Sequence, residues 1–335
     1  AITSMVIVAA VSTGRTLTKV VNDFVDEYKA EDAEFVTYKP LTDDDIENLE
    51  NEYDVILEHS SYKDVSVKGG DLDGATIRVF AKPEKLNLYD VREGHEPGDG
   101  ETLLTQDFAD THNIKVGDEI SLGDHSYKVS AYTTKADYIY MLQTFTGFID
   151  NEKFAVMIVD RQEYDKIDAE ETAYYSIKYN KDNSKEVRKR LNKDYVIASY
   201  MAATTNIRIS MPVNEGDAVS NMAAMFAPVM FIIVLIVMVL GRNIKSEQYL
   251  LGTFISLGFS RKQIVGHYVR YGLIPGVIGS VIGVLTSIPL TGLLCTFYIE
   301  YDFETLIYKP TYNIPSVIIA LVLPTLLYCA AIAIQ

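Results

Sequence analysis

Apolar positions recur along this chain in more than one rhythm. In residues 15–31 (RTLTKVVNDFVDEYKAE), Leu17, Val20, Val21, Phe24, Val25 and Tyr28 fall at helical spacing. EFVTYKP, YDVILEHS, TIRVFAKP and YKVSAYTT are short runs rich in Val, Ile, Tyr and Thr, and they read as strands. LTDDDIENLEN reads as a short helix: Thr42 can cap it, and three aspartates fill its first turn, where the helix dipole favours anions. The stretch AYYSIKYNKDNSKEVRKRLNKDYVIASYMA reads strand, helix, strand. Glycine-rich breaks at Gly69–Gly70 and Gly94–Gly100 suggest a β-rich insert at about 83–150 between two α/β pieces.

Beyond residue 220 the alternation gives way to continuous apolar runs. Uncharged stretches of 24, 29 and 26 residues follow Asp217, Arg270 and Lys309. Roughly 20 apolar residues in a helix cross a hydrocarbon core of about 30 Å. Three spans are therefore predicted, at about 221–241, 271–295 and 315–334. Ala1 to Gly14 is also uncharged and mostly apolar, but too short to span and without the basic start of a signal peptide. It reads as the end of a first transmembrane helix. The last run stops at Gln335 with no basic anchor, so both ends are expected to be cut inside membrane helices.

Charge sharpens this division. The whole chain has 30 Lys and Arg against 46 Asp and Glu, a net of −16. That balance argues against a nucleic-acid partner, and 48% hydrophobic residues argue against a disordered chain. Residues 1–220 carry −18, whereas 221–335 carry +2. Within the second part, loop 242–270 holds Arg242, Lys245, Arg261, Lys262 and Arg270 against Glu247 alone, so it should face the cytoplasm. Residues 15–220 then form an extracytoplasmic domain, and the 296–314 loop lies outside as well. Tyrosines 268, 271, 298, 301, 308 and 312 sit near span ends, as interfacial aromatics do. Both cysteines, Cys295 and Cys329, fall in predicted spans, so no disulfide supports the outer domain.

Catalytic chemistry is not apparent. There is no phosphate-cradling G-x-x-x-x-G-K-[ST] loop, no G-x-S-x-G, no H-E-x-x-H and no C-x-x-C. His95–Glu96 and Asp110–His112 could ligate a metal, but a solvated loop and a helix end account for them. Asp71-x-Asp73-Gly74 starts like a calcium loop without the later acidic ligands, and is most simply a turn. No cofactor, metal site or catalytic residue is expected. The one basic cluster outside, KEVRKRLNK at Lys185–Lys193, is either a solvated helix face or a contact for anionic lipid headgroups or an anionic partner.

The informative stretch is 245–264, KSEQYLLGTFISLGFSRKQI. Leu250, Leu251, Phe254, Ile255 and Leu257 are amphipathic, Gly252 and Gly258 interrupt them, and Ser260 can cap the next helix. Such a helix can lie on a membrane or dock into a partner's groove. Glu247, Gly252-Thr253 and Leu257-Gly258-Phe259-Ser260-Arg261-Lys262-Gln263-Ile264 resemble the signature of FtsX-like ABC transporter permeases. In that family an E-x-x-x-x-G-T/I-x-x-A/S-L-G-x-S-x-x-x-I segment precedes a glycine-rich span; Ser256 stands here where alanine is frequent. Gly272, Gly276, Gly279 and Gly283 supply the glycines, at spacings that share one helix face and allow close helix approach. GETLLTQDFADTHNIKVGDEISLGDHSYKVSAY is similar to the MacB-type periplasmic core domain, in which a short helix leads to a "VGD" turn and paired strands.

The resemblance implies an α+β membrane protein: a partial first helix plus three spans in a transmembrane bundle, with a large mixed α/β extracytoplasmic domain. It implies a multi-pass bacterial plasma-membrane permease that is not itself an enzyme. Its partners would be an ABC ATPase, a second permease half (a homodimer or a second repeat of one longer chain) and membrane lipid. Glu247, Gly252, Thr253, Leu257, Gly258, Arg261 and Ile264 would form the segment docking on the ATPase. Mechanotransmission would carry ATPase motion outward for export or extraction of a lipid, lipoprotein, peptide or drug. Two alternatives stand beside this efflux-type reading: a signalling permease that activates a cell-wall hydrolase, and a membrane-anchored sensor without an ATPase. Pro228, Pro275, Pro289 and Pro324 within the spans mark either hinges or tolerated bends.

Overall fold

The computed structural model describes residues 1–145, 147–225, 249, 252–304 and 306–334. They divide into two compact units. One comprises 1–19, 214–297 and 308–335; the other comprises 20–213 and 298–307.

The second unit is built on one mixed sheet. Its strands are β1 (Ala33–Thr37), β2 (Val55–Ser66), β3 (Thr76–Ala81), β4 (Glu101–Thr105), β5 (Glu119–Leu122), β6 (His125–Thr133), β7 (Phe154–Val159), β8 (Glu171–Tyr179) and β9 (Ile197–Ala202). Their order is β5-β6-β4-β7-β3-β2-β8-β1-β9. The β2-β8-β1-β9 half is antiparallel throughout. With helices at Asp43–Tyr53 and Ser184–Asp194 it traces β-α-β-β-α-β, the split βαβ arrangement, opened between β2 and β8. The opening admits β3 to β7 together with short helices at Gln106–Thr111 and Arg161–Lys166. β3 hydrogen-bonds to β2, so the inserted strands extend the same sheet.

Local chemistry explains these elements. The Asp43–Tyr53 helix starts with a capping box: the Thr42 hydroxyl accepts from the Asp45 amide, and Asp45 accepts from the Thr42 amide. The Ser184–Asp194 helix turns Val187 and Leu191, four residues apart, onto Phe35 and Leu57 in the core. Every residue of β7, FAVMIV, is buried, as suits a central strand covered on both faces. Gly117, in the Val116-Gly117-Asp118 turn before β5, has φ +101°, a conformation only glycine adopts without strain. Asp73 accepts from the Gly69 amide across a single 3₁₀ turn, so Asp71-x-Asp73-Gly74 is a turn.

The first unit is helical. Numbering these helices in chain order and leaving the short helical stretch at 249 and 252–256 unnumbered, α1 is Ile2–Glu27, α2 to α5 are the four just described, α6 is Ile207–Met225, α7 is Arg261–Asp302 and α8 is Ile314–Ile334. Ala1–Gly14 and 15–27 thus form one helix. Two described helical stretches are long and apolar enough to cross a membrane, Ile2–Glu27 and Gly276–Ile299; Ile314–Leu326 is a shorter apolar stretch. Of the predicted 221–241 span, residues 226–241 lie outside the described residues, as do Pro228 and the basic pair Arg242 and Lys245. Helix α7 is longer than the predicted 271–295 span at both ends. Its first ten residues belong to the predicted 242–270 loop segment, within which Ser260 was read as the cap of the next helix, and the helix starts there. At the other end, nothing in Thr296–Asp302 breaks a helix.

Helix contacts in this unit run through small residues. Ser4 donates to the Ala320 carbonyl at 2.8 Å, beside Ile7 and Val8. A Cβ on Gly283 would collide with the Ala1 carbonyl and lie 2.8 Å from the Ser4 Cβ. Gly279 is close to Ala1, and Gly276 faces Thr325 of α8. On α6, Gly216 lets the helix approach Thr18 of α1, whose hydroxyl donates to Asp217 at 3.2 Å. Gly272 lies in α7.

Candidate functional site

The segment singled out by its motif forms a sharp elbow. Tyr249 and residues 252–256 are helical, and the helix ends at Gly258, with φ +89°. The Phe259 amide donates to the Phe254 carbonyl at 3.1 Å, and the Gly258 amide to Ile255 at 3.0 Å. That pair of bonds is the Schellman motif, with Gly258 in the left-handed position it requires. The apolar contact that accompanies such ends is present too: Phe254 and Phe259 meet edge to face at 5.7 Å. One residue later Ser260 caps α7, its amide and hydroxyl both donating to the Gln263 carboxamide oxygen at 2.9 Å.

The elbow therefore consists of a helix stop at Gly258 and a helix start at Ser260 with one residue, Phe259, between them. It presents apolar side chains outward. Tyr249 is 90% exposed, Leu257 69%, Ile255 63% and Phe259 49%. Among the described residues, Gly252 has nothing within 4 Å of where a Cβ would stand. Thr253 turns its hydroxyl back to the Tyr249 carbonyl, and Ile264 is half-buried in the first turn of α7. Glu247 lies outside the described residues, as does residue 251.

A second constellation lies in the sheet unit, on residues that sequence patterning missed. Glu304, read from the sequence as an outer-loop charge, is 1% exposed. One of its oxygens accepts from the Gln106 and Asp107 amides, at 2.5 and 3.1 Å, and its own amide donates to the Ile139 carbonyl at 2.8 Å. Phe303 and Leu306 are buried on either side of it. Burial, then the Asp107 carboxylate, push the Glu304 acid well above the usual range, against Arg92 and the two amides. Its second oxygen is buried without a partner among the described residues, which further penalises the ionised form.

The residue after Ile139 is engaged from another side. The Tyr140 amide donates to the Arg208 carbonyl at 3.2 Å. Arg208 in turn donates to the Leu142 and Gln143 carbonyls, at 2.9 and 3.1 Å. Its guanidinium stacks over Tyr138 at 4.5 Å and Phe145 at 4.4 Å. Segment 138–145 thus holds both Arg208, in the first turn of α6, and Glu304, just past the end of α7. No sequence signal marks these anchors: Arg208 stands between two isoleucines, and Glu304 is one of three acids in the 296–314 loop.

Below this segment runs a layer of cations on aromatic rings. Arg78 makes a two-pronged bond to Asp64, at 2.7 and 2.6 Å, and stacks on Tyr62 at 4.0 Å. Lys135 pairs with Asp137 over the Phe80 ring. Among the described residues no three of His, Cys, Asp and Glu converge to hold a metal. His95 meets the Ser130 carbonyl and Glu101, and His112 the Glu152 carbonyl.

Residues 222–335 match the family model described as the FtsX-like permease C-terminal domain. This part of the chain is an FtsX-like permease domain, as the 247–264 motif implied. Such domains are membrane-integral parts of ABC-type permeases, which generally work with ABC ATPases. No curated protein matches the chain. Among solved structures, a putative lipoprotein from Bacillus anthracis is similar at 10% identity. The match covers 51% of this chain and 96% of that one, with a TM-score of 0.27.

Proposed function

We propose that this chain is a permease half of an ABC transporter, coupling ATP hydrolysis by a partner subunit to motion of its sheet domain. In this reading residues 15–220 are an extracytoplasmic, MacB-like domain. Spans at about 221–241, 271–295 and 315–334 follow the first helix, and 242–270 faces the cytoplasm. A second permease half, from another copy or a repeat, completes the pair. The cargo class is a lipid, lipoprotein, peptide or drug to be exported or extracted.

The exposed apolar elbow carries the proposal. A rigid turn between two capped helix ends presents Ile255, Leu257 and Phe259 to solvent inside the segment matched by the permease family. Soluble surfaces seldom leave such side chains together unless a partner covers them. Gly252, unhindered from within, leaves room for a partner's close approach. Within the sheet unit, Arg208 and Glu304 both bond segment 138–145, which gives the moving part of this reading a common anchor.

The test is co-purification with a partner ABC ATPase. Leu257→Asp and Gly258→Asp should each lower ATPase recovery at least about tenfold, the loss of roughly 1.4 kcal/mol expected when a charge enters an apolar contact. The melting of the sheet unit should be unchanged, because the elbow belongs to the other unit. Undiminished recovery with both variants would remove the coupling assignment.

A further inference from the structure

We infer that the β9 edge of the sheet is a docking strip for an acidic, extended peptide segment of a partner protein. Strand β9 ends the sheet order: it pairs with β1 on one side, no strand pairs with its other side among the described residues, and its first amide, that of Ile197, donates to Asn192 at 3.3 Å. A groove of about 490 Å³ runs beside it. One wall is Lys185, Arg188, Lys189 and Asn192, which share one side of α5 at spacings of three and four. The other wall is four consecutive residues of β9, Ile197, Ala198, Ser199 and Tyr200. Side chains of a strand alternate between faces, so a groove lined by consecutive residues follows the strand's backbone edge.

Three features define the occupant. An open backbone edge offers amide and carbonyl groups to another extended chain, the β-augmentation mode of peptide recognition. The cations define the sign: Lys185 and Lys189 are exposed and have no ion-pair partner among the described residues, whereas Arg190, on another side of the helix, pairs with Asp194 and Glu52. Arg188 is held in place, its guanidinium 4.4 Å over the Tyr200 ring. Gathering three cations on one groove of a segment that carries −18 overall focuses attraction on an anionic ligand there. A second copy of this edge would bring the same three cations against themselves, so the occupant is a different, acidic strand. The six residues of β9 set the length of the pairing.

Ala198 supplies a clean probe of the backbone component. The register passes from Val36–Ser199 to Thr37–Ile197, leaving Ala198 opposite no residue of β1. Proline there removes an amide donor at a bulge, where proline is tolerated. The experiment measures fluorescence anisotropy of a labelled, alternating glutamate–valine peptide against the full chain in detergent. Its lysine–valine counterpart and phosphatidylglycerol vesicles serve as the other probes. The acidic peptide should bind at least about tenfold tighter than the basic one, weakening as salt rises. Lys185→Glu with Lys189→Glu should cost about tenfold, and so should Ala198→Pro. Failure of the acidic peptide to bind, equal binding of both peptides, or binding indifferent to charge reversal would overturn the proposal. So would vesicle binding through the same lysines that Ala198→Pro leaves intact, which assigns the cations to lipid headgroups. Self-association abolished by charge reversal would make the occupant a second copy and overturn it equally.

Discussion

Arg208→Ala should destabilise the sheet unit by about 3–4 kcal/mol, because it leaves one buried and one part-buried carbonyl without a donor and unloads two aromatic faces. The donors lost are those to Leu142 and Gln143, and the rings are Tyr138 and Phe145. A further cost falls on Glu34. Burial pushes that carboxyl up and Arg208 is the foremost charge holding it down, so its ionised form loses its main support. At about 2–4 °C per kcal/mol for a domain of this size, the melting temperature should fall by roughly 10 °C. Amide exchange should accelerate selectively over 138–145. Arg208→Lys keeps the charge but not the planar fork, and should lose about half as much. A fall below about 1 kcal/mol for the alanine variant would show that the guanidinium is not the anchor described.

Glu31→Gln should change how stability depends on pH. Glu31 is 2% exposed and sits in a closed exchange of bonds with Asn87. Its amide donates to the Asn87 oxygen, and the Asn87 amide donates back to its carboxyl, both at 2.9 Å. Burial, then the charges of Asp137 and Glu34, push its acid up to about 8 from an ordinary 4.5. The folded state therefore holds this proton more tightly than the unfolded chain does. Its contribution is full below the unfolded value and is lost as pH rises toward about 8. Between pH 5 and pH 8 the native chain should lose on the order of 3 kcal/mol that the glutamine variant retains. Carboxyls held low, such as Asp45 and Asp54, act in the opposite direction. The decisive quantity is therefore the difference between native and variant melts across that range. A constant difference would mean that Glu31 is ionised throughout.

Much of the local structure was legible in the residues. Thr42 and three aspartates announced α2, and the capping box confirms the reason. The strands around Phe35, Leu57, Ile77 and Val129 carried their branched and aromatic residues openly. Ser260 announced the start of α7. By contrast, β7 was not named as a strand: six consecutive buried residues carry no alternation to read. The parallel pairing of β3 with β7, made across an intervening run of strands, leaves no trace in local spacing. The elbow's residues were found through motif resemblance, while its geometry follows from the Gly258 and Ser260 positions. Arg208 and Glu304 could not be read at all, because a charge that will be buried looks in sequence like any surface charge. Only the surrounding aromatic and backbone groups, gathered from residues 62 to 208, disclose its role.

The split between β2 and β8 has a consequence for the order in which the chain can fold. β1 takes both of its neighbours, β8 and β9, from residues about 140 to 170 positions later. It is therefore flanked by two vacant edges throughout synthesis of everything between. Contacts so distant in sequence make for slow closure, and vacant edges invite mispairing meanwhile. The β3–β7 insert is the part that can organise early, since its partners lie mostly among themselves. Docked on β2, it would leave one ready-made edge for β8 to join. The sheet should thus assemble from its middle outward, with β9 and the helix after it closing last.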